Sequence, residues 1–149
     1  MSNDTALDFT ADTVVTGTGQ GAALFLRQPL SFWGGYDSIE GSVIDPRHPQ
    51  RGVSLAGRVM LMERAKGSSS SSSVLAEAIR NGTGPSAIIM RERDLIVALG
   101  CIVASELYGI DVPVATADDA AWKILTELPD TARVSVQASD TGCRVSVQA

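Results

Sequence analysis

The chain has 149 residues, 44% hydrophobic and 19% charged, which describes one globular domain rather than a disordered chain. Its net charge of −5 argues against nucleic acid as a partner, because phosphate binding needs clustered Lys and Arg, and Arg47 with Arg51 is too small a pair to form a basic patch. Two cysteines and one histidine are too few for a disulfide framework or for a metal site held by this chain alone. No apolar run approaches the roughly 20 residues of a membrane span, and the start lacks a secretory pattern, so the cytosol is the expected compartment.

In chain order, Val14 and Val15 suggest a short strand. Gly17, Gly19 and Gly21 then suggest a turn before an apolar segment ending near Leu26. These glycines match a dinucleotide fingerprint only loosely. Residues 29–52 carry three aromatics among many glycines and prolines. They predict a long irregular connection around a short strand, with Phe32 and Trp33 in the core. Residues 57–64 alternate and predict a strand. Residues 73–82 show helical spacing of Val74, Leu75, Ala78 and Ile79, with Asn81-Gly82 as the stop. A short strand follows over 86–92. A helix over 93–109 is expected to break near Gly100, with Cys101 as a buried free thiol. Residues 112–116 predict another strand, and 118–128 an acid-capped helix anchored by Trp122, Ile124 and Leu125.

The tail spells RVSVQA twice, at Arg133–Ala138 and Arg144–Ala149, around an Asp140-Thr141-Gly142 turn. Alternation around such a turn predicts a hairpin over about 130–149, with the valines on one face. The strand–helix–strand units at 57–91 and 86–116 imply parallel pairing. The whole predicts a mixed α/β domain.

Six consecutive serines, Ser68 to Ser73, stand between a strand and a helix. Composition alone offers a flexible linker or a helix cap. The tight bounds favour a βα loop whose serines meet a helix N-terminus. Unpaired N–H groups and the macrodipole make such an end hospitable to anions, and the same field favours an ionised serine oxygen. Lys66 adds positive charge beside the loop, and Gly67 permits a sharp turn.

Three separated motifs, 31-SFWGGYD-37, 48-HPQRG-52 and 67-GSSSSSSVLAEAIRNGTGPSAII-89, resemble the swivel-domain module of aconitase X. The resemblance runs from about residue 29 to 116 within a single domain of 1–149. It implies the swivelling β/β/α fold of the aconitase superfamily and a hydro-lyase. Family members include cis-3-hydroxy-L-proline dehydratases and archaeal phosphomevalonate dehydratases. In both, a large subunit carries an iron or iron–sulfur centre, so the implied assembly is a heterodimer.

The resemblance makes Ser68 the catalytic base. It implies substrate contacts from Gly67, Ser69, Ser70 and Lys66, with Gly34, Gly35, His48 and Arg51 as further candidates. No metal ligand is expected from this chain. Two departures stand out. Position 70 is Ser70 where the wider superfamily often has a carboxylate-holding arginine. Lys66 stands where arginine is common, which keeps charge but loses the bidentate fork. The carboxylate clamp is therefore expected from backbone N–H groups, from the Ser69 and Ser70 hydroxyls, or from the large subunit. The two lysines and the general composition do not suggest a thermophile, so cis-3-hydroxy-L-proline is the favoured substrate and phosphomevalonate the alternative. The rival reading is a non-catalytic module that binds an anion or a partner. An autonomous serine hydrolase is disfavoured, because no GxSxG elbow is present.

Overall fold

A computed structural model describes residues 6–148. Seven strands close a barrel in the order β1-β7-β6-β5-β2-β8-β9. The long strands β1 (Ala6–Val15) and β2 (Gly17–Leu26) come first. β5 (Val59–Met62), β6 (Ala87–Met90) and β7 (Val114–Thr116) lie parallel to one another, and β2 is parallel to β5. β8 (Arg133–Ser139) and β9 (Gly142–Gln148) form an antiparallel pair. They join β2 on one side and β1 on the other. The final alanine of the second RVSVQA copy lies outside the described residues.

The glycine-rich turn expected at 17–21 is instead the first half of β2. A Cβ on Gly19 would collide with the carbonyl oxygen of Ser86, and one on Gly21 with that of Gly57. These glycines let the starts of β5 and β6 pack against β2.

β5 and β6 are buried at every residue, and their side chains alternate between two cores. Val59, Leu61, Ala87 and Ile89 point into the barrel with Val134, Val136, Val145 and Val147. Helix α4 (Asp119–Thr126) closes this core with Trp122 and Leu125. Ile124, expected as a third anchor, is exposed on the opposite side of the helix.

Met60, Met62, Ile88 and Met90 face the second core. There they meet helices α2 (Ser71–Asn81) and α3 (Leu95–Tyr108). α2 ends as its sequence predicts, on Gly82 in the left-handed conformation at φ 77°. α3 starts at Asp94, whose carboxylate accepts the Ile96 and Val97 N–H groups, both at 2.9 Å. It does not break at Gly100. A Cβ there would lie 2.9 Å from the Ser72 carbonyl oxygen, so the glycine brings α3 close to α2.

Residues 29–56 form a flap beside the helices. Its helical turn α1 (Phe32–Gly35) leaves helical geometry at Trp33 (φ −72°, ψ 110°) and Gly34 (φ 80°, ψ −10°), the angles of a type II turn. Phe32 is buried as expected. Trp33, expected beside it in the core, occupies the outward corner of the turn and is 60% exposed. A two-stranded ribbon of β3 (Tyr36–Asp37) and β4 (Ser42–Val43) follows. Tyr36 ties the flap down: its hydroxyl donates to Thr83 O at 2.6 Å and accepts from Leu55 N at 3.0 Å.

Candidate functional site at the serine loop

β5 ends at Met62, and the chain reaches Gly67 at φ 108° before the serines. A Cβ on Gly67 would collide with the Ser31 hydroxyl. The flap therefore touches the loop at the one residue that has no side chain. Glycine answers both constraints here, the positive φ and the close approach.

The six hydroxyls divide into two groups. Ser71 is 5% exposed, and its Oγ accepts the Trp33 N–H at 3.1 Å and lies 3.4 Å from Ser31 Oγ. Ser72 Oγ donates back to Ser69 O at 2.9 Å, and Ser73 Oγ to Ser70 O at 3.2 Å. These three are tied into the helix start and the flap. Ser68, Ser69 and Ser70 are exposed. Ser70 stands at the N-cap position, but its side chain caps nothing. Ser68 Oγ accepts the Ser70 N–H at 3.2 Å instead. The first free helical turn is closed tightly: Ser71 N donates to Ser68 O, Ser72 N to Ser69 O and Ser73 N to Ser70 O, at 3.0–3.3 Å.

This arrangement decides which backbone donors remain. The N–H groups of residues 70–73 have acceptors, whereas those of Ser68 and Ser69 have none among the described residues. The donors for an anion thus lie at the front of the tract, beside the Ser69 and Ser70 hydroxyls. No acidic residue stands in the first turn of α2, so nothing there offsets the positive end of the helix dipole. Lys66 is exposed on the approach. It lines a small cavity of about 80 Å³ with Gly67, Ser71, Phe32, Asp94 and Val97. Asp94, whose carboxylate caps α3, shares this cavity with Lys66, so one acidic and one basic side chain line it.

Sequence reasoning missed Ser31, Asp94 and the tie from Trp33 N to Ser71. Ser31 heads the SFWGG motif, which was the available signal.

The remaining candidates separate from this cluster. Gly34 and Gly35 shape the type II turn that delivers Trp33 N to Ser71. His48, a candidate substrate contact, is only 5% exposed. Its Nε2 faces Gln28 O at 3.1 Å and its Nδ1 accepts Gln50 N–H at 3.1 Å, so both ring nitrogens are used by backbone. The proton must then sit on Nε2, since Gln28 O can only accept. Arg51 lines a different groove that shares no residue with the serine-loop cavity.

The described residues contain no group of three or more His, Cys, Asp or Glu side chains able to hold a metal. Cys101 and Cys143 sit in separate cores. Burial pushes the Cys101 thiol up to about 12 and the Cys143 thiol up to about 11. Neither is a thiolate ready to bind iron. These residues do not fit an iron or iron–sulfur centre.

Comparison with known proteins points one way. Residues 8–145 match the family described as the aconitase X swivel domain. The match reaches well beyond the 29–116 segment that carries the sequence motifs, and includes most of β1 and the terminal hairpin. A cis-3-hydroxy-L-proline dehydratase of Pseudomonas aeruginosa is 47% identical over 103 residues, covering 69% of this chain and 18% of that protein. The chain thus spans about a fifth of the length of the hydroxyproline dehydratases it matches. A phosphomevalonate dehydratase small subunit of Methanothermobacter thermautotrophicus is 38% identical over 124 residues, covering 83% of this chain and 88% of that one. The crystal structure of the holo-form of aconitase X from Thermococcus kodakaraensis superposes with a TM-score of 0.78 at 33% identity, covering 95% of this chain and 98% of that one.

Proposed function

Since the chain belongs to the aconitase X swivel-domain family, we propose that it is the small subunit of a dehydratase, works with a large subunit, and supplies the base for loss of water from a hydroxy acid. The observation that carries this reading is the division of the serine tract. Three hydroxyls are bound into the fold, and three stand at the open end of α2 with the free N–H groups of Ser68 and Ser69.

Ser68 is the base. Its oxygen accepts the Ser70 N–H and lies in the field of the helix terminus. Each of these favours the alkoxide over the alcohol. The alkoxide removes the proton next to the substrate carboxylate. The electron pair of that C–H bond becomes the new C=C bond as hydroxide leaves. The carboxylate is held by Ser68 and Ser69 N–H and by the Ser69 and Ser70 hydroxyls, which replaces the arginine absent at position 70. The reading assigns the iron or iron–sulfur centre to the large subunit, and asks of this chain only the serine loop.

The substrate we favour is cis-3-hydroxy-L-proline, named in the relative that is 47% identical. Phosphomevalonate is the second reading. It is favoured by the archaeal small subunits, which are separate chains of comparable length.

The test is co-expression with a cysteine-bearing large subunit and assay on both substrates. The wild-type complex should dehydrate one of them. Ser68→Ala should assemble normally and lose about a hundred- to ten-thousandfold in turnover. Near-normal turnover of that variant would remove Ser68 from the role. No turnover of either substrate by the wild-type complex would favour a binding module.

A further inference from the structure

The motif 48-HPQRG-52 is not absorbed by the serine loop. Its side chains do a different job. His48 is bonded to Gln28 O and Gln50 N. Gln50 bridges the end of β2: its Nε2 donates to Phe25 O at 2.8 Å, and its Oε1 accepts Arg27 N–H at 2.9 Å. Gly52 completes the turn at φ 91°, its N–H donating to Val43 O at 2.8 Å. Two anchored residues and a turn glycine thus hold Arg51 in one place.

That place is a groove rimmed by Arg27, Arg51, Arg58 and Arg133. The four come from the end of β2, the flap, the start of β5 and the start of β8. Arg58 is prearranged: its Nε donates to Ala22 O at 3.2 Å and its Nη2 to Ala23 O at 2.8 Å. Its Nη1 edge is left for another acceptor. The chain holds 17 acidic residues against 12 basic ones. Only Asp130 among the acids lines this groove, and no ion pair among the described residues involves any of the four arginines. Gathering four unpaired guanidinium groups on an acidic protein works against folding through mutual repulsion. An anionic occupant reverses that sign.

We propose that this groove docks an acidic, extended segment of a protein partner. The groove is open, and three of the arginines are exposed, so a single small anion would reach few of them at once and stay largely hydrated. A segment with carboxylates spaced along it can engage several guanidinium groups together. Leu24, Val53 and Pro49 also line the groove and offer apolar contact between the charges. The inference is independent of the dehydratase reading, because the groove and the serine-loop cavity have no residue in common.

The test uses the full chain labelled with ¹⁵N and an octaglutamate peptide as probe. Octaglutamine serves as the uncharged control and inorganic phosphate as the small-anion control. Octaglutamate should shift the Nε–Hε signals of Arg27, Arg51, Arg58 and Arg133, and octaglutamine should not. Affinity should fall about tenfold as salt is raised to about 0.2 M. The double variant Arg51→Glu with Arg133→Glu should lose at least about tenfold in affinity, equivalent to about 1.4 kcal/mol, with a melting temperature no lower than that of the wild type, since it relieves the repulsion among the four. If that variant fails to fold, Arg51→Gln with Arg133→Gln makes the same test without charge reversal. Shifts confined to Arg64 and Lys66, or no shifts at all, would overturn the proposal. So would phosphate that occupies the groove as tightly as the peptide does, since that marks a small-anion site.

Discussion

Replacing Ser71 by alanine tests the contact that fixes the serine loop against the flap. The hydroxyl is 5% exposed and accepts the Trp33 N–H at 3.1 Å, with Ser31 Oγ 3.4 Å away. Alanine leaves the Trp33 N–H without its acceptor in a half-buried site. The cost of one unsatisfied donor is about 1–3 kcal/mol. Alanine's better helix propensity returns a few tenths of that at the first turn of α2. The net expectation is a loss of about 1–2 kcal/mol, which for a domain of this size lowers the melting temperature by roughly 2–8 °C.

Ser31→Ala should cost less. Its Oγ donates to Trp33 O across an exposed turn, and the 3.4 Å contact to Ser71 is long. The double variant should fall short of the sum of the two, because both serines act on the same turn. The assay is thermal and urea unfolding of the isolated chain. Wild-type stability in Ser71→Ala, or strict additivity in the double variant, would refute the claim that the flap and the loop are joined through this hydroxyl.

Two further outcomes follow from the cores. Truncation after Leu128 removes β8 and β9, and with them four valines that are at most 1% exposed. Since both strands are staves of a closed barrel, the expected result is loss of cooperative unfolding rather than a modest drop in melting temperature, and a native-like melt would refute it. The buried thiols give a pH dependence. A thiol whose folded pKa is raised by burial contributes stability that is fully present below its unfolded pKa of about 9 and is lost as pH rises through the folded value of about 12 for Cys101. Unfolding free energy should therefore decline above about pH 9, and Cys101→Ala should flatten that decline; an identical slope in the variant would count against it.

The parts of the fold legible in the sequence are those where local chemistry and tertiary contact agree. The stop of α2 at Gly82 and the valines of the terminal strands are of this kind. Misreadings arose where a residue answers to a distant neighbour. Gly19 and Gly21 carry a turn signal, yet they are glycine because the carbonyls of Ser86 and Gly57 crowd them. Gly100 carries a helix-break signal, yet it marks the approach of two helices. Trp33 has a core residue's composition but sits at the corner of a turn that Gly34 creates. At the site, the serine tract announced itself because all six residues are consecutive. The arginine groove did not, since Arg27, Arg51, Arg58 and Arg133 are assembled from four segments and His48 looked more reactive than structural.

The pairing of β1 with β9 carries a kinetic consequence. The register Ala6↔Gln148 through Ala11↔Cys143 joins the most distant described parts of the chain. The entropic cost of that closure is modest, rising by only about 0.6 kcal/mol per doubling of loop length. Its cost in time is larger, because contacts between remote segments form late. Until they form, one edge of β1 is without a partner and open to strands of other molecules. Asp8, Thr10 and Asp12 alternate along the exposed side of that strand, and charge at an unpaired edge discourages such association. In the finished barrel Asp8 accepts the Ser146 hydroxyl at 2.6 Å and stands 3.5 Å from the Arg144 guanidinium, so the carboxylate that protects the waiting strand also receives its proper partner.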